Sequence, residues 1–237
     1  MRKIFFVGMA FLISITAGFA QTEADFEVTL TEDLAGAVIT AYTGTVREVK
    51  IPAVIQGMPV KEIREGAFFQ KMTITGVVVP EGVVKIGDGA FRYCSSLTSV
   101  TLPQSLEVLG NLAFYGCWDL ASITLPPNLT RIEGGTFRGC QELASIVIPE
   151  GVTEIEGSNY DAHRAFSGCT ALTSVTLPST IQKIGSYAFS GCSALTGITI
   201  PDTVVKIEFS DNSFAECKKL SLASQTRLRR LGYTGTF

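Results

Sequence analysis

The sequence contains very little histidine and few charged residues, and both shortages exclude classes of function. Of its 237 residues only one is histidine, and Lys, Arg, Asp and Glu together make up 17%. A single histidine leaves little material for metal or acid–base sites, and disordered, coiled-coil and nucleic-acid-binding chains need more charge than this. The formal net charge of −3 also disfavours binding to a phosphate backbone, which depends on clustered Lys and Arg. We therefore expect no nucleic-acid partner.

Recognisable catalytic motifs are also missing. The chain has no Gly-rich phosphate loop with its lysine, no GxSxG, no HExxH and no CxxC pair. Nucleotide, acyl-transfer and zinc chemistry therefore lack the residue patterns that they require. The sequence predicts a protein that is not an enzyme and uses no cofactor, with no catalytic, cofactor-binding or metal-binding residue.

One long apolar run is present, at the N-terminus. Two basic residues at positions 2 and 3 precede an apolar run over 4–20 that ends in small residues. This pattern predicts that 1–20 is a signal peptide cleaved before Gln21. The 17-residue run is near the lower limit for spanning a bilayer core of ~30 Å, so an uncleaved anchor is the alternative. Cleavage would leave 17 Lys and Arg against 22 Asp and Glu, a net charge of −5, and an exported chain without a transmembrane span.

The rest of the chain repeats with a period of 23 residues, interrupted by two insertions. Phenylalanines recur at spacings of 23, 23, 23, 29, 23 and 25 residues, at Phe68, Phe91, Phe114, Phe137, Phe166, Phe189 and Phe214. Seven prolines keep the same period, and each closes a run of alternating apolar residues such as LTSVTLP. Seven units exceed the three or so that a stacked array needs to bury a continuous core.

Each unit predicts one strand, a second short extended segment and about one helical turn. In one unit, Val100 and Leu102 alternate with Ser99 and Thr101, which is the period-two pattern of a half-buried strand. Pro103 ends that strand because proline has no N–H for the ladder. A 23-residue coil is too short for a full crossover helix, so stacked units should form a parallel sheet with strands ~4.8 Å apart. The expected fold class is a mostly β repeat solenoid.

The unit LxxVxLPxxLxxIGxxAFxxC resembles the short leucine-rich repeat of the BspA-like class, the treponemal type common in bacterial surface proteins. The resemblance extends over 46–220 and implies a leucine-rich-repeat horseshoe, an α/β-type superhelix with a parallel sheet and short helical turns. It also implies a cell-surface or secreted protein that binds a protein or glycoprotein ligand, host extracellular proteins included. A periplasmic scaffold without a host ligand is the alternative, because the sequence shows no LPxTG sorting motif or lipidated cysteine.

Segments that break the repeat at either end are predicted to cap the solenoid, because open end coils would expose the core and a strand edge. Residues 21–45 contain two alternating runs, 26–31 and 37–42, and predict an N-terminal β-hairpin cap. Residues 221–237 begin with a stretch that lacks Gly and Pro and predict a C-terminal helical cap. Residues 46–220 remain for the seven repeats.

Six cysteines in an exported protein usually indicate disulfides, but here the spacing indicates a ladder of free thiols. Each cysteine lies three residues after a repeat phenylalanine, at Cys94, Cys117, Cys140, Cys169, Cys192 and Cys217. Parallel side chains on neighbouring coils would strain the preferred S–S dihedral of ~90°. We therefore expect buried thiols that act as small apolar side chains, with bridged neighbours as the alternative.

The outward strand positions form rows of hydroxyls, which are the first candidate for binding a partner. The candidate residues are Ser99, Thr101, Ser122, Thr124, Ser174 and Thr176. Their donors and acceptors would give a protein or sugar ligand a shallow, rigid surface. Ser and Thr are also good solvent-facing strand residues that pair across a ladder, and the rows lack the Trp, Tyr and Arg anchors of tight interfaces. Both interpretations are open.

A six-residue insertion between Ile155 and Phe166 is the second candidate. Insertions in solenoids map to loops on one face, often the binding face. We nominate as partner-binding residues Tyr160, Asp161, His163 and Arg164. Tyr and Arg are enriched at interface hot spots, and a surface loop of variable length without a role is the alternative. A general-base role for His163 would need a positioned nucleophile, which the sequence does not indicate.

Overall fold

The computed structural model describes residues 21–237, which form a solenoid of about eight stacked coils with little helix. The predicted mostly β solenoid is thus confirmed. The predicted signal peptide at 1–20 lies outside the described residues. Within 21–237, no helix is long and apolar enough to cross a membrane.

The regular elements are short and follow one another around each coil. In chain order they are β1 (Phe26–Leu30), β2 (Ala37–Tyr42), β3 (Glu48–Lys50), β4 (Val54–Ile55), β5 (Met58–Ile63), β6 (Gly76–Val78), β7 (Lys85–Ile86), β8 (Ser99–Thr101), β9 (Val108–Leu109), β10 (Ser122–Ile123), β11 (Arg131–Ile132), β12 (Ser145–Val147), β13 (Glu154–Ile155), β14 (Ser174–Thr176), β15 (Lys183–Ile184), β16 (Gly197–Thr199), β17 (Glu208–Phe209) and α1 (Leu222–Arg230). After β5, each coil therefore contributes two strands and a turn.

The first strands of successive coils form what we call the hydroxyl sheet. Strands β3, β6, β8 and β10 pair in parallel, and β12, β14 and β16 continue the same side of the solenoid. Each coil contributes the residue with the same repeat position, so Val77 pairs with Val100 and Val175 with Ile198. These central residues are buried, while the residues beside them are exposed or half-buried, except for the buried Gly76, as expected for period-two strands.

The second strands form what we call the charged sheet. Strands β2, β5, β7 and β9 pair in parallel, as do β11, β13, β15 and β17. In β7, β9, β11, β13 and β15 the second residue is buried and the first faces outward. The outward residues of this sheet are Glu62, Lys85, Val108, Arg131, Glu154, Lys183 and Glu208. Strand β5 also pairs with β4 in a hairpin, whose turn at Gln56 and Gly57 has the positive φ angles of 53° and 78° typical of tight hairpins.

The seven repeat phenylalanines stack in one buried column through the core. Centroids of neighbouring rings are 4.8 to 5.7 Å apart, within the range of favourable aromatic pairs. The column extends beyond the repeats, because Tyr42 stacks on Phe68 at 5.1 Å and Tyr233 meets Phe214 edge-on at 5.4 Å. The Tyr42 N–H also donates to the Ala67 carbonyl, so the N-terminal hairpin supplies one further rung.

The six cysteines are free and buried. Each thiol donates to the carbonyl of the repeat phenylalanine in the preceding coil, with S···O distances of 3.1 to 3.3 Å. Burial raises the pKa of Cys94 to about 12 and raises the pKa of Cys117 well above its usual range, so the donating proton is retained. The ladder therefore satisfies backbone acceptors as well as filling space.

The ends of the described chain differ from the coils. Strands β1 and β2 form an antiparallel hairpin. At the other end, the Ser221 hydroxyl accepts a hydrogen bond from the Ser224 N–H at 3.2 Å and starts α1. Leu228 and Leu231 are buried against the last coil, so this helix covers apolar surface that the final repeat would otherwise expose.

Candidate functional site

The insertion after β13 forms a compact loop, 157–164. Residues Asp161–His163 make one 3₁₀ turn, and the Ser158 hydroxyl accepts the Tyr160 N–H at 3.1 Å. Arg164 holds the loop from beneath: its Nε donates to the Ser158 carbonyl at 3.3 Å and its guanidinium lies 4.3 Å from the centroid of the Tyr187 ring. The half-buried Arg164 thus helps to fix the loop to the next coil.

Two glycines of the preceding coil provide the space on which the loop rests. A Cβ placed on Gly135 would lie 2.1 Å from the Ala162 carbonyl oxygen, and one placed on Gly134 would lie 3.1 Å from the His163 Cβ. Gly135 also has a φ of +69°, a conformation that side chains disfavour. The loop and the Gly134–Gly135 pair therefore fit each other.

The loop forms one wall of a cavity of about 650 Å³ over the charged sheet. The floor is made by outward residues of β11, β13 and β15, and the lining is polar. The lining residues are Arg131, Glu154, Glu156, Gly157, Ser158, Tyr160, His163 and Lys183. The space is open to solvent, so it is a shallow binding surface and not an enclosed pocket.

The floor of this cavity is held by ion pairs. Glu154 lies between two cations, 3.2 Å from a guanidinium nitrogen of Arg131 and 2.9 Å from Lys183 Nζ. Its hydrogen bond and charge raise the pKa of Lys183, so the lysine stays protonated. Arg131 also pairs with Glu156. About 41 to 45% of each cationic side chain is exposed. These ion pairs therefore fix the orientation of the side chains on the cavity floor but contribute little to the stability of the fold.

Beside the cavity, two carboxylates occupy a position that the repeat fills with glycine. Glu133 and Glu156 each follow the inward residue of a charged-sheet strand, where other coils have Gly87, Gly110 and Gly185. Burial and the adjacent Glu156 carboxylate raise the pKa of Glu133 to about 7, against the opposing charge of Arg131. The Arg131 Nε is 3.8 Å from Glu133, too far for a direct hydrogen bond. The charge of Arg131 therefore does not fully offset the cost of burying the Glu133 carboxylate beside Glu156.

The position of Glu133 leads to a pH-dependent prediction. Its folded-state pKa of about 7 exceeds the ordinary value of 4.5, so its cost to stability is present above pH 7 and disappears as the pH falls towards 4.5. Allowing for solvent screening of a partly exposed group, we expect Glu133→Gln to raise the free energy of unfolding by about 1 kcal/mol above pH 7. The gain should fade as the pH approaches 4.5.

Urea unfolding across this pH range would measure the difference between wild type and variant. Glu107→Gln serves as the control, because Glu107 is exposed on a neighbouring coil. A stability difference for Glu133→Gln that stays constant from pH 4.5 to 7 would contradict the assignment.

The structure separates the nominated residues into three groups. Tyr160 and His163 line the cavity, and Tyr160 is 81% exposed. Asp161 accepts hydrogen bonds from Arg138 and Arg164 on the opposite side of the loop. Arg164 is mostly buried and holds the loop, so its contacts are internal.

The nominated hydroxyls form the third group and lie on the hydroxyl sheet. Five of the six are exposed and Thr176 is half-buried. The loop follows a strand of the charged sheet, so the cavity contains none of these hydroxyls.

Sequence reasoning missed Arg131, Glu133, Glu154, Glu156 and Lys183. Their signal was present in the repeat itself: two successive coils replace a repeat glycine with glutamate, and the residue two positions earlier is charged in both. Aligning the coils with one another would have located them beside the insertion. Within 21–237, no group of three or more His, Cys, Asp or Glu side chains has an arrangement that could hold a metal ion.

Comparisons with known proteins agree with the repeat pattern. Residues 61–163 and 162–232 match the model of the BspA-type leucine-rich repeat region, in six copies. No protein of curated function matches the chain significantly.

Several solved structures are similar to this one. A T. pallidum leucine-rich repeat protein is 32% identical with a TM-score of 0.82, covering 92% of this chain and 98% of its own. A leucine-rich cell surface protein from Faecalibacterium prausnitzii is 36% identical with a TM-score of 0.72, covering 87% of this chain and 54% of its own. A leucine-rich repeat protein from Bacteroides ovatus is 30% identical with a TM-score of 0.73, covering 83% and 50%. This chain thus spans about half the length of the last two proteins.

Proposed function

Because the chain belongs to the BspA-type leucine-rich repeat family, we propose that it is an exported cell-surface protein that binds a protein or glycoprotein ligand and catalyses no reaction. Repeats of this kind serve in general as protein-binding scaffolds. The observation that carries the proposal is the cavity between loop 157–164 and the charged sheet. It is the place where an insertion, an exposed tyrosine and non-repeat charges coincide.

The chemistry of the cavity supports recognition of a polar ligand. Arg131 and Lys183 offer donors, Glu154 and Glu156 offer acceptors, and the ring of Tyr160 stands at the rim. Charged groups already paired with one another keep their positions before a ligand arrives, which lowers the entropic cost of binding. The similarity to a cell surface protein of F. prausnitzii supports the proposed location.

Removing the insertion should abolish binding while keeping the fold. Deleting 158–163 and replacing Arg164 with glycine changes the segment to IEGGAF, nearly the IEGGTF of residues 132–137 in the preceding coil. We expect this variant to unfold near the wild-type temperature and to bind the ligand at least about tenfold more weakly. The ligand would be captured from host extracellular glycoproteins on immobilised 21–237, identified, purified and titrated against both proteins.

A control variant tests where the ligand binds, and a protease experiment on cells tests where the protein is located. Thr101→Ala with Thr124→Ala alters the hydroxyl sheet only and should bind normally. If the loop variant bound the ligand as tightly as the wild type, the binding site would lie outside the loop. Failure to obtain any saturable ligand would contradict the binding function. In the cellular arm, protease treatment of intact cells should remove both the protein and the ligand binding, whereas digestion only after the envelope is broken would favour a periplasmic scaffold.

A further inference from the structure

The turn that follows each repeat phenylalanine carries a different surface in the two halves of the solenoid. The position directly after the phenylalanine is large in the first four coils and small in the last three. In chain order it is Phe69, Arg92, Tyr115, Arg138, Ser167, Ser190 and Ala215. Together with Tyr93, the first four of these residues form what we call the aromatic–arginine patch. The repeat itself does not require these side chains, because the later coils fold without them.

The side chains of the patch touch in an unbroken row. The Arg92 guanidinium lies 6.0, 4.9 and 5.1 Å from the centroids of Phe69, Tyr93 and Tyr115. The next arginine continues the row, because Arg138 lies 5.2 Å from the Tyr115 centroid and donates to its hydroxyl at 2.6 Å. Arginine stacked on aromatic rings keeps its plane fixed. Two oriented guanidinium groups are thus displayed among aromatic rings.

Tyr93 occupies a turn position that four of the seven coils fill with glycine. Its φ is +60°, close to the +57° of Gln70 and the +63° of Glu216 at the same position, where the other coils have Gly116, Gly139, Gly168 and Gly191. A non-glycine residue in this conformation costs ~1 kcal/mol or more. Gly116 also makes room for the ring, since a Cβ there would lie 2.6 Å from Tyr93 Cδ1. The strain is shared by three coils, so the feature that distinguishes Tyr93 is its ring, which packs among the other patch side chains.

The charges of the patch indicate what it binds. Within residues 21–237, Arg92 forms no ion pair with a carboxylate, and Arg138 shares Asp161 with Arg164. The Nε atoms of Arg92 and Arg138 are buried and have no hydrogen-bond partner in this part of the chain. The molecule as a whole is acidic, so this locally cationic surface is complementary to carboxylates, which guanidinium groups bind in planar, bidentate fashion.

We propose that the aromatic–arginine patch docks an acidic, extended segment of a partner protein. Its carboxylates bind Arg92 and Arg138, and its apolar side chains pack on Phe69, Tyr93 and Tyr115. Four stacked coils extend about 15 Å, the length of four or five extended residues. Tyr and Arg are the residue types that dominate binding energy at protein interfaces. The patch contacts loop 157–164 through the Arg138–Asp161 ion pair, but none of its residues lines the cavity, so this proposal does not rest on a ligand bound there.

Fluorescence anisotropy with a labelled peptide of about twelve residues, alternating glutamate with leucine and phenylalanine, tests the proposal on 21–237. We expect saturable binding that weakens with added salt and is lost when glutamine replaces glutamate. Tyr93→Gly should weaken binding about tenfold without lowering the unfolding midpoint, because glycine is the repeat's own residue there. Arg92→Gln should weaken binding similarly.

Gln70→Gly is the matched control. Gln70 holds the same turn position as Tyr93 in the preceding coil, with φ +57°, so the substitution relieves the same strain without removing a ring. Its affinity should stay within about twofold of wild type. The proposal is overturned by wild-type affinity in Tyr93→Gly and Arg92→Gln, by equal binding of the glutamine peptide, or by no binding at about 1 mM peptide. Binding of polygalacturonate in place of the peptide would also overturn it, in favour of an acidic glycan.

Discussion

Phe137→Ala should lower the free energy of unfolding by about 3–5 kcal/mol. The Phe137 ring is fully buried and stacks between Phe114 and Phe166, at centroid distances of 5.7 and 5.3 Å. Alanine removes the ring from both stacks and leaves a cavity that the neighbouring coils can close only in part, since their hydrogen bonds fix the spacing. Because a solenoid is stabilised by nearest-neighbour interfaces, the loss falls on two interfaces at once.

Guanidinium unfolding followed by circular dichroism measures this effect, and Phe69→Ala is its control. Phe69 is 44% exposed and follows directly after a column phenylalanine, so its truncation should cost less than about 1 kcal/mol. Loss of cooperativity in Phe137→Ala, with the N-terminal and C-terminal coils unfolding separately, would fit the same cause. A cost for Phe137→Ala no larger than that of Phe69→Ala would contradict the column as the main source of stability.

Much of the fold can be predicted from the sequence because every coil has the same pattern of apolar residues, proline and phenylalanine. Alternation around Val100, the proline that ends each strand and the phenylalanine period together predicted parallel strands and a continuous core, and the structure confirms them. The additional rung at Tyr42 was harder to predict. It lies 26 residues before Phe68 and in a hairpin strand, so the repeat period does not identify it. Its stacking on Phe68 and its hydrogen bond to Ala67 show that it continues the column.

The candidate site was predictable only in part, for a physical reason. The insertion can be found by counting residues, so the sequence places Tyr160 and His163 on one loop. Their role in binding a partner stays a prediction. The floor of the cavity comes from β11, β13 and β15, which are 23 and 29 residues apart in sequence. Stacking brings these residues together, and no local pattern states which way a two-residue strand turns its side chains.

Departures from the repeat are more informative in this protein than the repeat itself. Glu133 and Glu156 replace glycines beside the cavity, and Tyr93 replaces a glycine in the aromatic–arginine patch. Each replacement carries a cost, either an uncompensated carboxyl group or a strained backbone. Coils of the same chain that have glycine at these positions show that the fold does not require these side chains.

The inserted loop depends on a glycine of the preceding coil, Gly135. Gly135→Ala should lower the free energy of unfolding by about 2–4 kcal/mol, combining a positive φ with steric conflict. The new Cβ would lie 2.1 Å from the Ala162 carbonyl oxygen and 2.5 Å from Leu112 Cδ2. The leucine side chain can move, but the carbonyl belongs to the loop backbone. Relief therefore requires the loop to lift, which would also open the cavity wall and weaken ligand binding.

Gly66→Ala isolates the contribution of the loop. Gly66 has the same turn position and a φ of +65°, yet its nearest neighbour would be the Phe69 Cβ at 3.8 Å, so only the backbone strain of ~1 kcal/mol should be lost. In the variant lacking 158–163, Gly135→Ala should then cost no more than Gly66→Ala. A double-mutant cycle measured by chemical unfolding gives the coupling between Gly135 and the loop directly. In the variant that lacks the loop, Gly135→Ala cannot clash with the Ala162 carbonyl, so its cost in unfolding free energy should be smaller. An equal cost with and without the insertion would show that the loop does not rest on this glycine.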